Sequence, residues 1–421
     1  MLAGGALVGA AQAAPPLLPV SPVSAASSPY ASVAPRLTMA HALAAAWDRS
    51  LESAEAAGRQ RQVVAEQGLA DAWLAAAPSL NLSQREGLGS AAAGARETEL
   101  AIALPLWRPG QRGLNAQVAQ AESDWAVASE RATRLQLATR LREQAAQVKQ
   151  AEAAAMQAAQ QRQTLQALCT DVERRVRAGD LAPTDAMAAQ AEMLAARSLA
   201  LEAERSLAAQ RSTWTLLTSM TALPEPEALT PRGDAGQRTQ AEAHLEAHPE
   251  AQLAAAAVAR AQQRVAQVQA QRGAAPELGL GMRQEQPGSG QPRQGSVALS
   301  LSVPFGTDAH NAPRLAAALA ELGRTQMSLQ RAHQQLEAEL GLAHGHLNAA
   351  TDQAAAQAER ARLLHERARL LTRSFQAGES SLPELLRALS SAAQADADSA
   401  RQHAALAQAQ ARIQHALGQL P

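Results

Sequence analysis

The sequence predicts a mainly α-helical protein with a small β part, laid out as a tandem duplication of one helix–strand–strand–long helix–helix unit. Three observations carry this prediction. The 421-residue chain is 47% hydrophobic by count, but only 2% is aromatic and much of the rest is alanine. That balance suits long helices packed closely side by side better than a thick globular core. Two long Ala-, Gln- and Arg-rich stretches are broken in the same way, by "VRAGDLAPTD" at 176–185 and "FQAGESSLPE" at 375–384, with Gly179 and Gly378 199 residues apart. Four short segments alternate apolar and small or polar residues with period two, the pattern of strands.

The N-terminus reads "MLAGGALVGAAQAAPP". Leu2 to Ala10 is apolar and Ala11-Gln12-Ala13 fits an A-x-A cleavage site, so residues 1–13 are expected to be a secretory signal peptide. Its basic n-region is missing, which would place the translation start upstream of Met1. No cysteine lies near the cleavage site to carry a lipid anchor. Residues 14–36, rich in Pro, Ser and Ala, read as an extended leader. No other run of about 18 apolar residues offers a transmembrane helix.

Two units follow, 37–224 and 241–421, joined by a linker at 225–240. "ALPLW" (103–107) aligns with "LSVPF" (301–305), and "APSLNL" (77–82) with "APELGL" (275–280). "TALP" ends the first unit at Pro224 and "GQLP" the second at Pro421.

Strands are expected near 78–87, 97–107, 276–285 and 295–305. Leu100, Ile102 and Leu104 alternate with Glu99, Ala101 and Ala103. Val297, Leu299, Leu301 and Val303 alternate with Ser296, Ala298, Ser300 and Ser302. Leu80 and Leu82, and Leu278, Leu280 and Met282, repeat the pattern more weakly. Strands of about ten residues with this alternation are long enough to cross an outer membrane in a barrel; the edge of a soluble sandwich would alternate in the same way. The connectors "GLGSAAAGARE" and "QPGSGQPRQG" suit exposed hairpin loops. Trp107 and Phe305 end matching strands, either as an interfacial aromatic belt or as ordinary packing at the strand–helix junction.

Residues 110–176 contain only Gly113 as an internal breaker, so one helix would run about 100 Å. Leu114, Val118, Ala121, Trp125, Ala128, Ala132 and Leu135 follow alternating four–three spacing. Leu315, Leu319, Leu322, Leu329, Leu336 and Leu340 keep that phase in the second unit. Such a coiled-coil seam needs partner helices along its length. Four strands are too few to close a barrel, but three chains would supply twelve and leave no unpaired edge.

At the two breaks, glycine accepts the left-handed conformation that ends a helix. Pro183 and Pro383 suit the first turn of the next one, and Thr184, Asp185 and Glu384 favour its positive end.

The net charge of -1 gives no general attraction to nucleic acid. Cys169 is the single cysteine, which excludes an intrachain disulfide and a CxxC site; it reads as a small apolar helix residue. No Ser/His/Asp set, P-loop, HExxH or dinucleotide fingerprint occurs in a fitting context. Gly279 and Gly281 lie in a predicted strand and open no helix. His344 and His346, two apart on a helix, point to different faces and chelate poorly. No enzyme, cofactor or metal site is expected.

From about Leu37 to Pro421 the sequence resembles the TolC-like outer-membrane efflux family. The resemblance rests on the duplicated unit, on "LPLWRPGQRG" and "SVPFGTDAHN" at the strand-to-helix turns, and on the two glycine breaks. It implies a homotrimeric channel, with a twelve-stranded barrel in the outer membrane of a Gram-negative bacterium and an α-helical tunnel across the periplasm. Leu100, Ile102, Leu104, Val297, Leu299, Leu301 and Val303 would face outer-membrane lipid. The tips, Arg177-Ala178-Gly179-Asp180-Leu181 and Gln376-Ala377-Gly378-Glu379-Ser380, would meet a periplasmic adaptor (membrane fusion protein) serving a resistance-nodulation-division inner-membrane pump. Acidic side chains after the second tip line the closed aperture in the family. Glu384 holds the first such position, while Arg387 departs from the pattern and would neutralise Glu384 by a salt bridge.

Within the family, "RRVRAGDLAPTDAMAAQAE", "HPEAQLAAAAVARAQQRV" and "PFGTDAHNAPRLAAALAEL" most resemble the branch paired with cobalt-zinc-cadmium type pumps. The expectation is passive conduction of divalent heavy-metal cations without dedicated ligands, because a channel must release what it conducts. Drug efflux or type I secretion through the same kind of channel, and a pore-less periplasmic coiled-coil scaffold, are the alternatives.

Overall fold

The computed structural model describes residues 37–87, 94–225, 245–271, 273–304 and 308–421. The expected signal peptide, leader and Phe305, nearly all of the linker and most of the first hairpin loop lie outside them. Leu37–Pro421 form one compact unit.

The elements run in the expected order. Helix α1 (Met39–Arg49) starts at the cap Thr38 and α2 (Leu51–Asp71) at Ser50, whose Oγ accepts from the Ser53 amide at 3.0 Å. Strands β1 (Ser79–Glu86) and β2 (Arg96–Pro105) lead into α3 (Gln111–Ala178), and α4 (Pro183–Thr218) returns. In the second unit α5 (Pro249–Ala270) precedes β3 (Glu277–Gln286) and β4 (Gln294–Ser302); then come α6 (Asp308–Gln376) and α7 (Leu382–Ala416). The two long helices hold 68 and 69 residues, so each spans about 100 Å.

The strands form one antiparallel meander in the order β1-β2-β3-β4. Nearest the sheet the helices lie in the matching order α2, α3, α5, α6; further away the neighbours are α4, α3, α7, α6. The predicted seam of α3 is on its covered side: Ala121, Ala128, Ala132 and Leu135 are buried. The seam of α6 is covered less evenly. Leu336 is buried, but Leu319 is exposed.

Midway along, two small cores fix the helix ends. Trp214, near the end of α4, is buried against Met39, Ala42, Leu141 and Val148, and its Nε1 donates to the Ala222 carbonyl at 3.1 Å. In the second unit His248 caps α5: Nδ1 accepts from the Glu250 amide at 3.2 Å, while Nε2 donates to the His415 carbonyl at 3.0 Å. The ring is buried, and its two partners fix the Nε2–H tautomer. Gly418 (φ 67°) closes over it, where a Cβ would come within 2.9 Å of the His248 ring.

His248→Ala removes a cap and one of the hydrogen bonds to the His415 carbonyl, which keeps the Gly418 amide at 2.7 Å, so it should lower stability by about 1–2 kcal/mol. His248→Asn, which restores a capping oxygen, should recover part of that. Thermal unfolding in detergent reads both.

Candidate functional site

The register gives the sheet two unlike faces. On one, Leu82, Leu100, Met282 and Val297 pair across the strands; the next row is Leu80, Ile102, Leu280 and Leu299, and the next holds Leu104, Leu278 and Leu301. This apolar surface is open: Val297 is 81% exposed and Leu299 72%. Val303 lies just past β4, also exposed. All seven strand residues singled out in the sequence thus fall on this side or at its end.

On the other face the two middle rows are Ser79-Ala103-Gly279-Ser300 and Asn81-Ala101-Gly281-Ala298. Side chains this small allow the sheet to curve toward them. A Cβ on Gly279 would lie 2.3 Å from the Ser300 Oγ. Charge lies at the two ends of this face: Glu277 in the row nearest the helices, and toward the hairpins Glu99 and Arg283 in one row and Arg85, Glu97 and Glu285 in the next. Within the chain, β1 and β4 are edge strands and every residue in them is exposed.

At the base of the sheet Trp107 is half-buried, and its Nε1 donates to the Ala72 carbonyl at 2.9 Å. Of the two readings of Trp107, packing at the strand–helix junction is the one its geometry fits. The aromatic that stands free there is Trp73, 81% exposed, which periodicity does not flag because it sits in a loop. Arg108 reaches from the first unit to the second, donating to the carbonyls of Ala274 (2.8 Å) and Pro304 (3.0 Å).

The opposite end carries the two breaks. Gly179 (φ 87°) and Gly378 (φ 80°) are both left-handed. In each, the amide after the glycine donates back along the helix, Asp180 to the Arg175 carbonyl and Glu379 to that of Ser374, both at 2.9 Å. These bonds satisfy the last carbonyls of α3 and α6. No atom would meet a Cβ at either glycine, so the requirement is backbone handedness alone. The Asp185 carboxylate accepts from the Ala182 amide and closes the start of α4.

The fold brings the two tips together. Cys169, Val172, Ala189, Phe375, Leu382 and Leu385 form one buried cluster drawn from all four helices. Burial, then the nearby Glu173 carboxylate, push the Cys169 thiol up from its ordinary value. Arg175 fastens the cluster. Its guanidinium lies 5.0 Å from the Phe375 ring centroid, pairs with Asp171 at 3.0 Å, and donates to the Phe375 and Gln376 carbonyls at 3.2 and 3.4 Å. Sequence reasoning missed Arg175; the available signal was a cation in the last helical turn. Arg177, Ala178, Gly179, Asp180, Gln376, Ala377, Gly378 and Glu379 are exposed around this core, and Leu181 and Ser380 are half-buried.

Glu384 and Arg387 are both exposed and make no ion pair with each other among the described residues, so the neutralising bridge expected from their spacing does not form within one chain. Asp396 and Asp398 bridge α7 to α6. Asp396 meets His365 at 2.6 Å, and Asp398 meets Arg360 at 3.0 Å and also Arg401. The hydrogen bond from Arg360 chiefly holds the Asp398 carboxyl below its usual range; the pairing is present above that range and is lost as falling pH protonates Asp398. His344 and His346 are exposed, with the His344 Nδ1 donating to the Leu340 carbonyl. The described residues hold no group of three or more His, Cys, Asp or Glu placed for a metal ion, and none of their helices is long and apolar enough to cross a membrane.

A few strands per chain joined to very long paired helices define the TolC-like channel fold, and the chain adopts it. No protein-family model and no curated relative matches the sequence, but solved structures do. The outer membrane protein VceC from Vibrio cholerae superposes with a TM-score of 0.70 at 16% identity, covering 90% of this chain and 96% of its own. CusC, described in terms of transmembrane channel formation, gives 0.72 at 16%, with 90% and 92% covered. The Campylobacter jejuni CmeC outer membrane channel gives 0.72 at 12%, with 90% and 85% covered. At these identities the likeness is one of fold.

Arg175→Ala removes one donor from each of two carbonyls, that of Phe375 keeping the Gly378 amide at 3.1 Å, and the cation from the Phe375 ring, and should loosen the tips by about 1–3 kcal/mol. Faster amide exchange over residues 374–381, with the Trp214 region unchanged, is the expected result. Arg175→Lys should recover only part, since it lacks the planar fork.

Proposed function

We propose that the chain is the outer-membrane channel of a tripartite efflux system, acting as a homotrimer that passively conducts cargo out of the cell. The single observation that supports this reading best is the four-stranded sheet with one apolar face, one small or polar face and two unpaired edges. Lipid covers the first face, water fills the space inside the second, and β1 of one protomer pairs with β4 of the next until twelve strands close. The long helices continue the barrel as a periplasmic tunnel of a Gram-negative envelope. Residues 1–13 serve as the export signal and 14–36 as a leader, ahead of repeats 37–224 and 241–421 joined by the linker 225–240.

The tips dock on a periplasmic adaptor fed by a resistance-nodulation-division pump. Their exposed loops around a shared rigid core suit that task. Glu384 lines the aperture, with Arg387 one turn away. The cargo is a divalent heavy-metal cation, a reading that rests on the three segments resembling the cobalt-zinc-cadmium branch. The likeness to VceC, CusC and CmeC is one of fold and does not distinguish cargoes. A pore-less scaffold would have no use for an open apolar sheet face of three rows.

Two experiments test the reading. Leu299→Asp with Leu301→Asp places charge on the lipid side at about 1–3 kcal/mol each, and should abolish recovery of the protein in detergent-extracted outer membrane; unchanged fractionation would favour the scaffold. A deletion strain challenged with cobalt, zinc, cadmium, nickel, copper and silver salts beside hydrophobic drugs should show selective metal sensitivity. The wild type should rescue it, and a Gly179→Pro/Gly378→Pro variant should not, because proline cannot adopt positive φ. Drug sensitivity with normal metal tolerance would keep the channel and replace the cargo.

A further inference from the structure

We propose that Glu99 makes the hairpin end of the barrel a cation-preferring mouth. The inference rests on the trimeric barrel proposed above, in which the small or polar sheet face lines the pore. On that face, apart from Glu277 in the row at the helix end, the charged side chains are confined to the two rows nearest the hairpins, and the two rows between are neutral. Most of the charge is spoken for. The Glu97 side chain, only 18% exposed, lies 3.1 Å from Arg283 and 3.6 Å from Arg85, and Arg283 also meets Glu285 at 3.2 Å. Glu99 sits in register between Ser83 and Arg283 and, among the described residues, forms no ion pair. Two arginines against three carboxylates leave the band one negative charge per chain, and Glu99 is the carboxylate left over.

Three copies around a water-filled exit raise the local concentration of cations and lower that of anions, as carboxylate rings do in cation channels. Screening shortens the reach of each charge to about 10 Å at 0.1 M salt, so the preference is strongest in dilute electrolyte. The cargo class this mouth favours is a small hydrated cation, which leaves without a dedicated ligand to hold it.

The test is the reversal potential of the full-length protein in planar bilayers under an about tenfold KCl gradient at low ionic strength. Wild type should prefer potassium. Glu99→Gln, nearly isosteric, should cut the potassium-to-chloride permeability ratio about twofold or more. In a Cys169→Ser background, Glu99→Cys should behave like Glu99→Gln, regain the preference with a sulfonate-bearing thiol reagent, and lose it further with a trimethylammonium one. Conductance with an unchanged ratio in Glu99→Gln, or a loss that instead follows Glu384→Gln, would overturn the inference and leave the channel standing. A wild type with no conductance steps would remove the channel reading, and this inference with it.

Discussion

The two halves of the chain share one sheet and one pair of tips, and both depend on keeping α3 in fixed register with the second unit. Three arginines do this. Arg108 donates to the Ala274 and Pro304 carbonyls, Arg142 to that of Gln419, and Arg175 to those of Phe375 and Gln376. They stand 33 and 34 residues apart, so the fastenings recur about every 50 Å along the helix. The duplication is broken at each site, the positions 199 residues later being Thr307, Gly341 and Ser374, so these three fastenings run from the first repeat to the second. α3 is also the common neighbour of α1, α2, α4, α5 and α7, which makes it the spine on which the rest is hung.

With α3 fixed, β2 pairs with β3 across the repeat boundary and the sheet becomes continuous. Its chemistry then follows from the period of two. Leucine, isoleucine and valine gather on one side, and Gly, Ala and Ser gather on the other where the surface must bend. An apolar face this open, bounded by two strands with free backbone donors and acceptors, is unfinished in a single chain. In the proposed trimer the same step that closes the barrel satisfies the edges. The exposed Leu319 on α6 fits the same proposal, in which a helix of the next protomer would cover it.

The tips show how little side-chain chemistry a sharp helix reversal needs. Gly179 and Gly378 have open space around them, so the turns constrain the sequence there through backbone handedness alone. Rigidity comes from behind, from Phe375, Leu382 and Leu385 packed on α3 and from Arg175. The links from His365 to Asp396 and from Arg360 to Asp398 hold α6 and α7 together above that core.

By itself the sequence determined the element order, the two left-handed turns and the faces of the strands, because each is a local property. Periodicity sets which side of a strand is apolar, and glycine followed by proline sets where a helix must end. It could not decide contacts between residues far apart in the chain. Nothing in "RRVRAGD" tells which carbonyls Arg175 meets, or that Asp396 faces His365 rather than solvent. Trp73 against Trp107 makes the same point: both are tryptophans near a strand end, and only the Ala72 carbonyl within reach of one makes it packing and leaves the other free. The lone Glu99 required the register of three strands before its neighbours' charges were seen to be matched. These are long-range pairings, set by the docking of whole helices and strands, and only the tertiary structure decided them.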